Sequence, residues 1–219
     1  MNSILENPVK KFKVLIEKMH ERNRFILPAG IEALVEATKQ TKAKYYMPAL
    51  IYLGAEHGAS KQEALSLCWS DINFDYENIG IVRFYRTKNQ NERTEYLMPR
   101  ARKALEDWEE HQKWMRKKKR IDAQGSDVVF SHLNGIQIQS FNRAWWATLK
   151  IAGIEDFHFH DLRHTFCSNL ILSGAGLKEV KEMIGHSDIS MTDRYSHLTI
   201  NHKLLKQRQL AEHYKTSDL

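Results

Sequence analysis

Residues 158–166 have the sequence HFHDLRHTF, and this stretch decides the fold that the sequence predicts. Leu162 and Phe166 are four residues apart, the spacing of apolar side chains on one buried face of an α-helix. His160 and Arg163 are three residues apart, so on the same helix their side chains leave from a common face. The stretch therefore predicts a helix that directs an imidazole and a guanidinium toward one target.

A second segment, MIGH at residues 183–186, stands at the end of the next helical pattern. Glycine most easily adopts the left-handed conformation that ends many helices, so Gly185 predicts a chain reversal that presents His186 at the turn. Tyr195 follows nine residues later, within MTDRYSH at residues 191–197. The chain thus carries H-x-x-R, G-H and Y in that order.

This order resembles the signature of the tyrosine recombinases, the phage integrase family, and the filler residues in HDLRHTF and IGHSDISMTDRYSH resemble it as well. Upstream, EALSLCWSDI at residues 63–72 is similar to the family's helix and W-x-D-I segment. TKN at residues 87–89 is similar to its lysine hairpin, and NRFILP at residues 23–28 to the usual start of its catalytic domain. The resemblance covers roughly residues 20–200, nearly the whole chain.

The pattern of the remaining sequence predicts helices interrupted by one small sheet. Apolar residues keep helical spacing from Pro28 onward and again after Ala101, whereas from Asp71 to Met98 the period changes to two. We interpret this segment as an antiparallel meander of about three strands. The resemblance implies the same class, an α+β fold: a mostly helical tyrosine-recombinase catalytic domain with a small antiparallel three-stranded sheet.

Three regions are expected along the chain. Residues 1–22 are interpreted as a lead-in or linker from an N-terminal DNA-binding domain, which the resemblance implies and which we expect to lie outside this sequence. Residues 23–200 are expected to form the integrase catalytic domain. Residues 201–219 are expected to form a C-terminal helical tail, a candidate contact between protomers.

The resemblance implies site-specific DNA recombination, in which Tyr195 attacks a phosphodiester, forms a 3′-phosphotyrosyl link and releases a 5′-hydroxyl. A free phenol has a pKa of about 10, so at neutral pH it needs a proton acceptor or positive surroundings. Arg163 is expected to bind the non-bridging phosphate oxygens through two parallel hydrogen bonds. His160 and His186 are candidate donors or proton carriers, and Lys88 is the candidate general acid for the departing oxygen.

One residue departs from the family's pattern. The family normally places an arginine three residues before the glutamate that corresponds to Glu63, and this chain has Ser60 there. Ser60 and Glu63 instead form the S-x-x-E pattern of a helix-capping box, and no residue nearby in the sequence offers a guanidinium. Losing one preorganised charge typically costs about a hundred- to a thousandfold in rate, so we expect reduced activity.

The composition favours a nucleic-acid partner. Lysine and arginine exceed aspartate and glutamate, the formal net charge is +6, and such a bias attracts polyanions. The resemblance implies double-stranded DNA and other recombinase protomers as partners, in a tetrameric synapse, and no metal or other cofactor. His158, His164 and His197 have no cysteine or carboxylate at zinc spacing. The basic run at residues 116–120 is either a solvated helix end or a contact with the DNA backbone.

The sequence also predicts a location. No stretch is long and apolar enough to span a bilayer. Lysines interrupt the first residues, which therefore lack the charged-then-apolar layout of a signal peptide. We expect a cytoplasmic protein, in the prokaryotic cytosol and associated with the nucleoid.

Two alternatives stay open beside the recombinase. The first is a catalytically impaired DNA-binding relative that occupies recombination sites without cutting, as Ser60 would allow. The second is a type IB topoisomerase-like enzyme, which uses the same phosphotyrosine chemistry to relax supercoils. The spacing from Gly185 and His186 to Tyr195 favours the recombinase over the topoisomerase.

Overall fold

A computed structural model describes residues 24–85, 92–121, 127–185, 195, 206–212 and 214 of the chain. The chain divides into two compact units, residues 1–165 and residues 166–219, and each has a hydrophobic core of its own. Residues 1–22 lie outside the described residues, so the expected lead-in and the boundaries of the catalytic domain stay predictions.

Helices account for most of the described residues. Their bounds are α1 Pro28–Thr38, α2 Met47–His57, α3 Lys61–Ser66, α4 Pro99–Lys119, α5 Asn142–Ala152, α6 Asp161–Leu172 and α7 Leu177–Ile184. A proline stands in the first or second position of α1, α2 and α4, where a missing N–H leaves no helical hydrogen bond unmade.

The strands form a three-stranded antiparallel sheet, in the order β1 Ile72–Asn73, β2 Ile81–Tyr85 and β3 Glu92–Tyr96. In β2, Val82 and Phe84 are buried while their neighbours are more exposed, as the period of two predicts. Phe84 pairs with Arg93 of β3, and Val82 pairs with Glu95. The predicted α+β class and the small three-stranded sheet are confirmed.

The core of the first unit lies between the helices and one face of the sheet. Leu50 and Leu53 of α2 are fully buried there, together with Phe84 of β2. At Gly54, α2 approaches the start of α6 so closely that a Cβ atom at this position would lie 2.9 Å from Leu162 Cβ. Glycine permits this approach, which brings the first turn of α6 beside the C-terminal end of α2.

The second unit has a smaller core, to which the last part of α6, α7 and one residue beyond α7 contribute. Its buried members are Phe166, Cys167, Ile171, Val180, Ile184 and Tyr195. Helix α7 ends at Gly185 with a φ of 60°, which confirms the predicted left-handed end of this helix. Residues 206–212 are helical and exposed. None of the described helices is long and apolar enough to cross a membrane.

Candidate active site

The turn between α2 and α3 is the centre of the candidate site. Gly58 ends α2 with a φ of 59°, a conformation that glycine adopts at little cost. The Ser60 hydroxyl accepts a hydrogen bond from the Glu63 N–H at 3.2 Å, and Glu63 Oε2 accepts one from the Ser60 N–H at 2.7 Å. The predicted capping box is thereby confirmed. It also holds the buried Glu63 carboxylate beside the end of α2.

Arg163 lies in the first turn of α6, and only 6% of its side chain is exposed. Its Nη1 atom donates a hydrogen bond to the Gly58 carbonyl at 2.6 Å and lies 3.4 Å from Glu63 Oε2. Charge-assisted hydrogen bonds of this kind are strong and directional, so they fix the plane of the guanidinium. The predicted helix is confirmed, and the phosphate-binding role of Arg163 stays a prediction.

A second guanidinium, that of Arg93 on β3, reaches the same carboxylate. Its Nη2 atom lies 3.8 Å from Glu63 Oε2, and its Nη1 atom donates to the His57 carbonyl at 3.0 Å. Arg93 also forms an ion pair with Glu95 and lies over the Phe84 ring, 4.4 Å from the ring centroid. No residue close to position 60 in the sequence offers a guanidinium, but the sheet brings Arg93 to the Glu63 carboxylate from far along the chain.

The Glu63 carboxylate is ionised in this setting. Burial alone would raise the pKa of Glu63, but Arg93, the Ser60 N–H and Arg163 outweigh burial and lower the pKa below its ordinary value. Sequence reasoning identified Glu63 only as part of a helix cap. Glu63 has a second role, because its negative charge is shared between two arginines. This role depends on contacts that the sequence does not predict.

His57 joins the end of α2 to β3. Its ring is almost fully buried, and Nδ1 lies 2.9 Å from Glu95 Oε2. The Met98 N–H donates to Nε2 at 3.4 Å, which suits the tautomer that carries its proton on Nδ1. His57 therefore holds Glu95, and Glu95 in turn pairs with Arg93.

The sequence predicted His160 on the same helix as Arg163, but α6 begins at Asp161, and His160 lies in the turn directly before it. The His160 carbonyl accepts a hydrogen bond from the Arg163 N–H at 3.0 Å. His160 is exposed, and its ring meets the His164 ring edge-on, with the centroids 5.3 Å apart. The exposed His160 imidazole suits the predicted donor or proton carrier, a role that stays a prediction.

The remaining predicted site residues are Tyr195, His186 and Lys88. Tyr195 is 2% exposed and belongs to the core of the second unit, in the same cluster as Val180 and Ile184 of α7. His186 and Lys88 lie outside the described residues. The predicted catalytic roles of these three residues stay predictions.

The histidines of the described chain give no sign of a metal centre. Within the described ranges, no group of three or more histidine, cysteine, aspartate or glutamate side chains is placed to hold a metal ion. His57 and His158 each face one carboxylate, that of Glu95 at 2.9 Å and that of Asp161 at 3.7 Å.

Comparison with known proteins identifies the family. The model of the phage integrase family matches residues 24–202, which is most of the chain. The chain belongs to the phage integrase family. The predicted resemblance is confirmed.

Several integrases and recombinases are similar to the chain in sequence. The integrase of Salmonella phage P22 is 49% identical over 76 residues, 35% of this chain and 20% of the relative. Tyrosine recombinase XerC of Staphylococcus aureus is 27% identical over 92% of this chain and 66% of the relative. Tyrosine recombinase XerD of Oceanobacillus iheyensis is 31% identical over 77% of this chain and 56% of the relative. The chain thus spans at most about two thirds of the length of these relatives.

Solved structures share the fold of this integrase-family chain. The XerA recombinase superposes with a TM-score of 0.65 at 21% identity, over 84% of this chain and 64% of that one. The catalytic domain of bacteriophage HP1 integrase superposes with a TM-score of 0.58 at 21% identity, over 83% of this chain and 93% of that one. At this identity the likeness concerns the fold alone, and it agrees with the α+β catalytic domain.

Proposed function

We propose that the protein catalyses site-specific DNA recombination, cutting and rejoining duplex DNA through a covalent bond to Tyr195. The observation that carries the proposal is the ordered set of His160, Arg163, His186 and Tyr195 inside the segment that matches the phage integrase family. The buried, hydrogen-bonded guanidinium of Arg163 supports it, because a fixed guanidinium suits phosphate recognition.

In the proposed step, the Tyr195 phenol oxygen attacks the scissile phosphorus as its proton passes to a proton carrier, for which His160 and His186 are the candidates. A bond forms between this oxygen and phosphorus, and the bond from phosphorus to the 5′-oxygen breaks. The departing oxygen takes a proton, for which Lys88 is the candidate donor. One ester bond replaces another, so attack by a 5′-hydroxyl of a second strand reverses the step without an external energy source.

The charged residues around Arg163 have a defined part in this scheme. Negative charge grows on the non-bridging oxygens as the phosphorus becomes five-coordinate, and Arg163 is the residue proposed to bind them. His160 and His186 add hydrogen-bond donors or carry protons. Ser60 offers no charge at the position where the family places an arginine, so the proposal includes a reduced rate.

The proposed partners are double-stranded DNA and further copies of the protein. The net charge of +6 favours a polyanion. Two structures with the same fold are described as XerH bound to a difH substrate and as the Tn1549 transposon integrase in complex with transposon right end DNA. Residues 201–219 are the candidate contact between protomers in a tetrameric synapse. Such a substrate places the reaction in the prokaryotic cytosol, at the nucleoid.

The test is covalent capture on DNA. The 219-residue chain is incubated with a pool of nicked duplexes of randomised sequence, in which a released fragment cannot return, and the products are separated under denaturing conditions. We expect a protein–DNA adduct that is absent from Tyr195→Phe, because phenylalanine keeps the packing and lacks the nucleophilic oxygen.

The alternatives give different results in the same experiment. DNA binding without an adduct, even after Ser60→Arg and addition of a DNA-binding domain from a relative, contradicts the enzyme and favours a non-cutting relative. Relaxation of supercoiled plasmid without sequence preference favours a topoisomerase-like activity.

A further inference from the structure

Two guanidinium groups, those of Arg93 and Arg163, face the single carboxylate of Glu63. Arg163 Nη1 lies 3.4 Å from Glu63 Oε2, and Arg93 Nη2 lies 3.8 Å from the same oxygen. Because Coulomb attraction varies as the inverse of distance, the Arg93 attraction is ~0.9 times that of Arg163 in a common dielectric. Arg93 nevertheless lowers the pKa of Glu63 more than Arg163 does. The two arginines therefore attract the Glu63 carboxylate to a comparable degree.

These groups belong to a series in which hydrogen-bond donors alternate with carboxylates. His57 holds Glu95, Glu95 pairs with Arg93, Arg93 faces Glu63, and Glu63 faces Arg163. Without Arg93, the Glu63 carboxylate would attract the Arg163 guanidinium more strongly. A carboxylate that draws a guanidinium toward itself weakens the attraction of that guanidinium for an incoming phosphate.

The Arg93 guanidinium faces two carboxylates, those of Glu95 and Glu63. Only 11% of its side chain is exposed, and its Nε and Nη2 atoms are buried. Neither nitrogen has a hydrogen-bond partner among the described residues. Most buried donors in proteins do have a hydrogen-bond partner. The group that Nη2 does face is the Glu63 carboxylate. The electrostatic effect of Arg93 on the site is therefore exerted through Glu63.

We infer that Arg93 is a positioning residue for strand cleavage: by sharing Glu63, it keeps the Arg163 guanidinium available to the DNA phosphate in a chain that has serine at position 60. The inference rests on the proposed function. Arg93 of β3 lies outside the motif residues, and the resemblance to the family gives it no role in this sequence.

The first comparison separates charge from hydrogen bonding. Arg93→Gln removes the charge but keeps an amide that can donate to the His57 carbonyl, whereas Arg93→Lys keeps the charge. We expect R93Q to lower the single-turnover rate of adduct formation on the nicked pool by about ten- to a hundredfold, the usual loss when the supporting partner of an active group is removed. We expect R93K to retain most of the rate.

The second comparison separates positioning from packing. Glu63→Gln removes the negative charge and keeps an acceptor for the Ser60 N–H, since glutamine also completes a capping box. When E63Q is added to R93Q, the rate of adduct formation should rise, because the negative charge that attracts Arg163 is removed. A merely structural Arg93 predicts the opposite, namely a double variant slower than R93Q.

The outcomes also distinguish this inference from the proposed function. If R93Q forms adduct as fast as the unaltered chain, or if E63Q slows R93Q further, the inference is overturned while Tyr195 cleavage stands. If no adduct forms even after Ser60→Arg and addition of a DNA-binding domain from a relative, the proposed function fails and the inference fails with it. Thermal unfolding is measured for each variant, and Arg93→Met, which keeps the packing on Phe84, takes the place of R93Q if that variant does not fold.

Discussion

At the start of α3, the Ser60 hydroxyl accepts the Glu63 N–H and the Glu63 carboxylate accepts the Ser60 N–H. Serine is among the best residues for this cap and contributes about 1 kcal/mol to helix stability. An arginine has no side-chain acceptor and contributes no such cap. The substitution of serine at this position thus favours the fold while it removes a charge from the proposed chemistry.

Restoring the arginine should separate these two effects. In Ser60→Arg, we expect the free energy of unfolding to fall by about 1 kcal/mol because the cap is lost. We expect adduct formation to accelerate by up to about a hundredfold, because a preorganised charge is gained. Ser60→Ala is the matched control, since it loses the same cap and gains no charge. Equal rates for S60R and S60A would show that position 60 does not limit the rate.

At the scale of elements, periodicity predicted the helices and the three-stranded sheet, and a capping pattern predicted the start of α3. The inward face of the strand ERTEY could not be predicted from the sequence. Both of its faces carry polar residues, so alternation alone does not indicate which face is buried. The pairing of Phe84 with Arg93 settles it, and Arg93 and Glu95 turn out to be the more enclosed residues of β3. This side-chain direction depends on tertiary pairing, so the second arginine of the site escaped prediction.

The contact of α2 with α6 offers a test at this scale. A Cβ at position 54 would lie 2.9 Å from both Leu162 Cβ and Leu162 Cδ1, so Gly54→Ala should displace the first turn of α6. We expect a loss of about 1–3 kcal/mol in the free energy of unfolding, typical of overpacking. We also expect slower adduct formation, because the hydrogen bond from Arg163 to the Gly58 carbonyl is strained.

The control for this variant is a glycine whose substitution changes only the backbone. Gly153 ends α5 with a φ of 68°, and nothing lies within 4 Å of a Cβ built there. Gly153→Ala should cost about 1–2 kcal/mol through its left-handed conformation. If G153A slows adduct formation as much as G54A, the rate reports general stability and not the position of Arg163.

At the scale of the whole molecule, the order of a few motif residues was enough to predict the family and the fold class. The same residues did not predict that Tyr195 would be buried with Val180 and Ile184, because a motif states which groups act and not how they pack. Net charge is likewise a property of the whole chain, and it leaves open which surface meets DNA. The basic end of α4 is the candidate surface for DNA. Cations at this end also interact favourably with the helix dipole, so they have a structural role as well.

The salt dependence of DNA binding distinguishes these two roles. Lys117 and Lys119 are exposed in the last turn of α4, whereas Lys103 and Lys113 lie on the same helix and pair with Asp107 and Glu109. Replacing either pair of lysines with glutamine changes the net charge equally.

If the end of α4 binds the DNA backbone, Lys117→Gln with Lys119→Gln should lower the slope of log K against log salt by about 0.9 for each phosphate that the lysines no longer neutralise. Lys103→Gln with Lys113→Gln should leave the slope unchanged, because carboxylates already compensate these charges. Fluorescence anisotropy with a labelled duplex across a salt series gives both slopes. Equal changes from the two double variants would mean that total charge alone attracts DNA, and no change from either would make the run at residues 116–120 a solvated helix end.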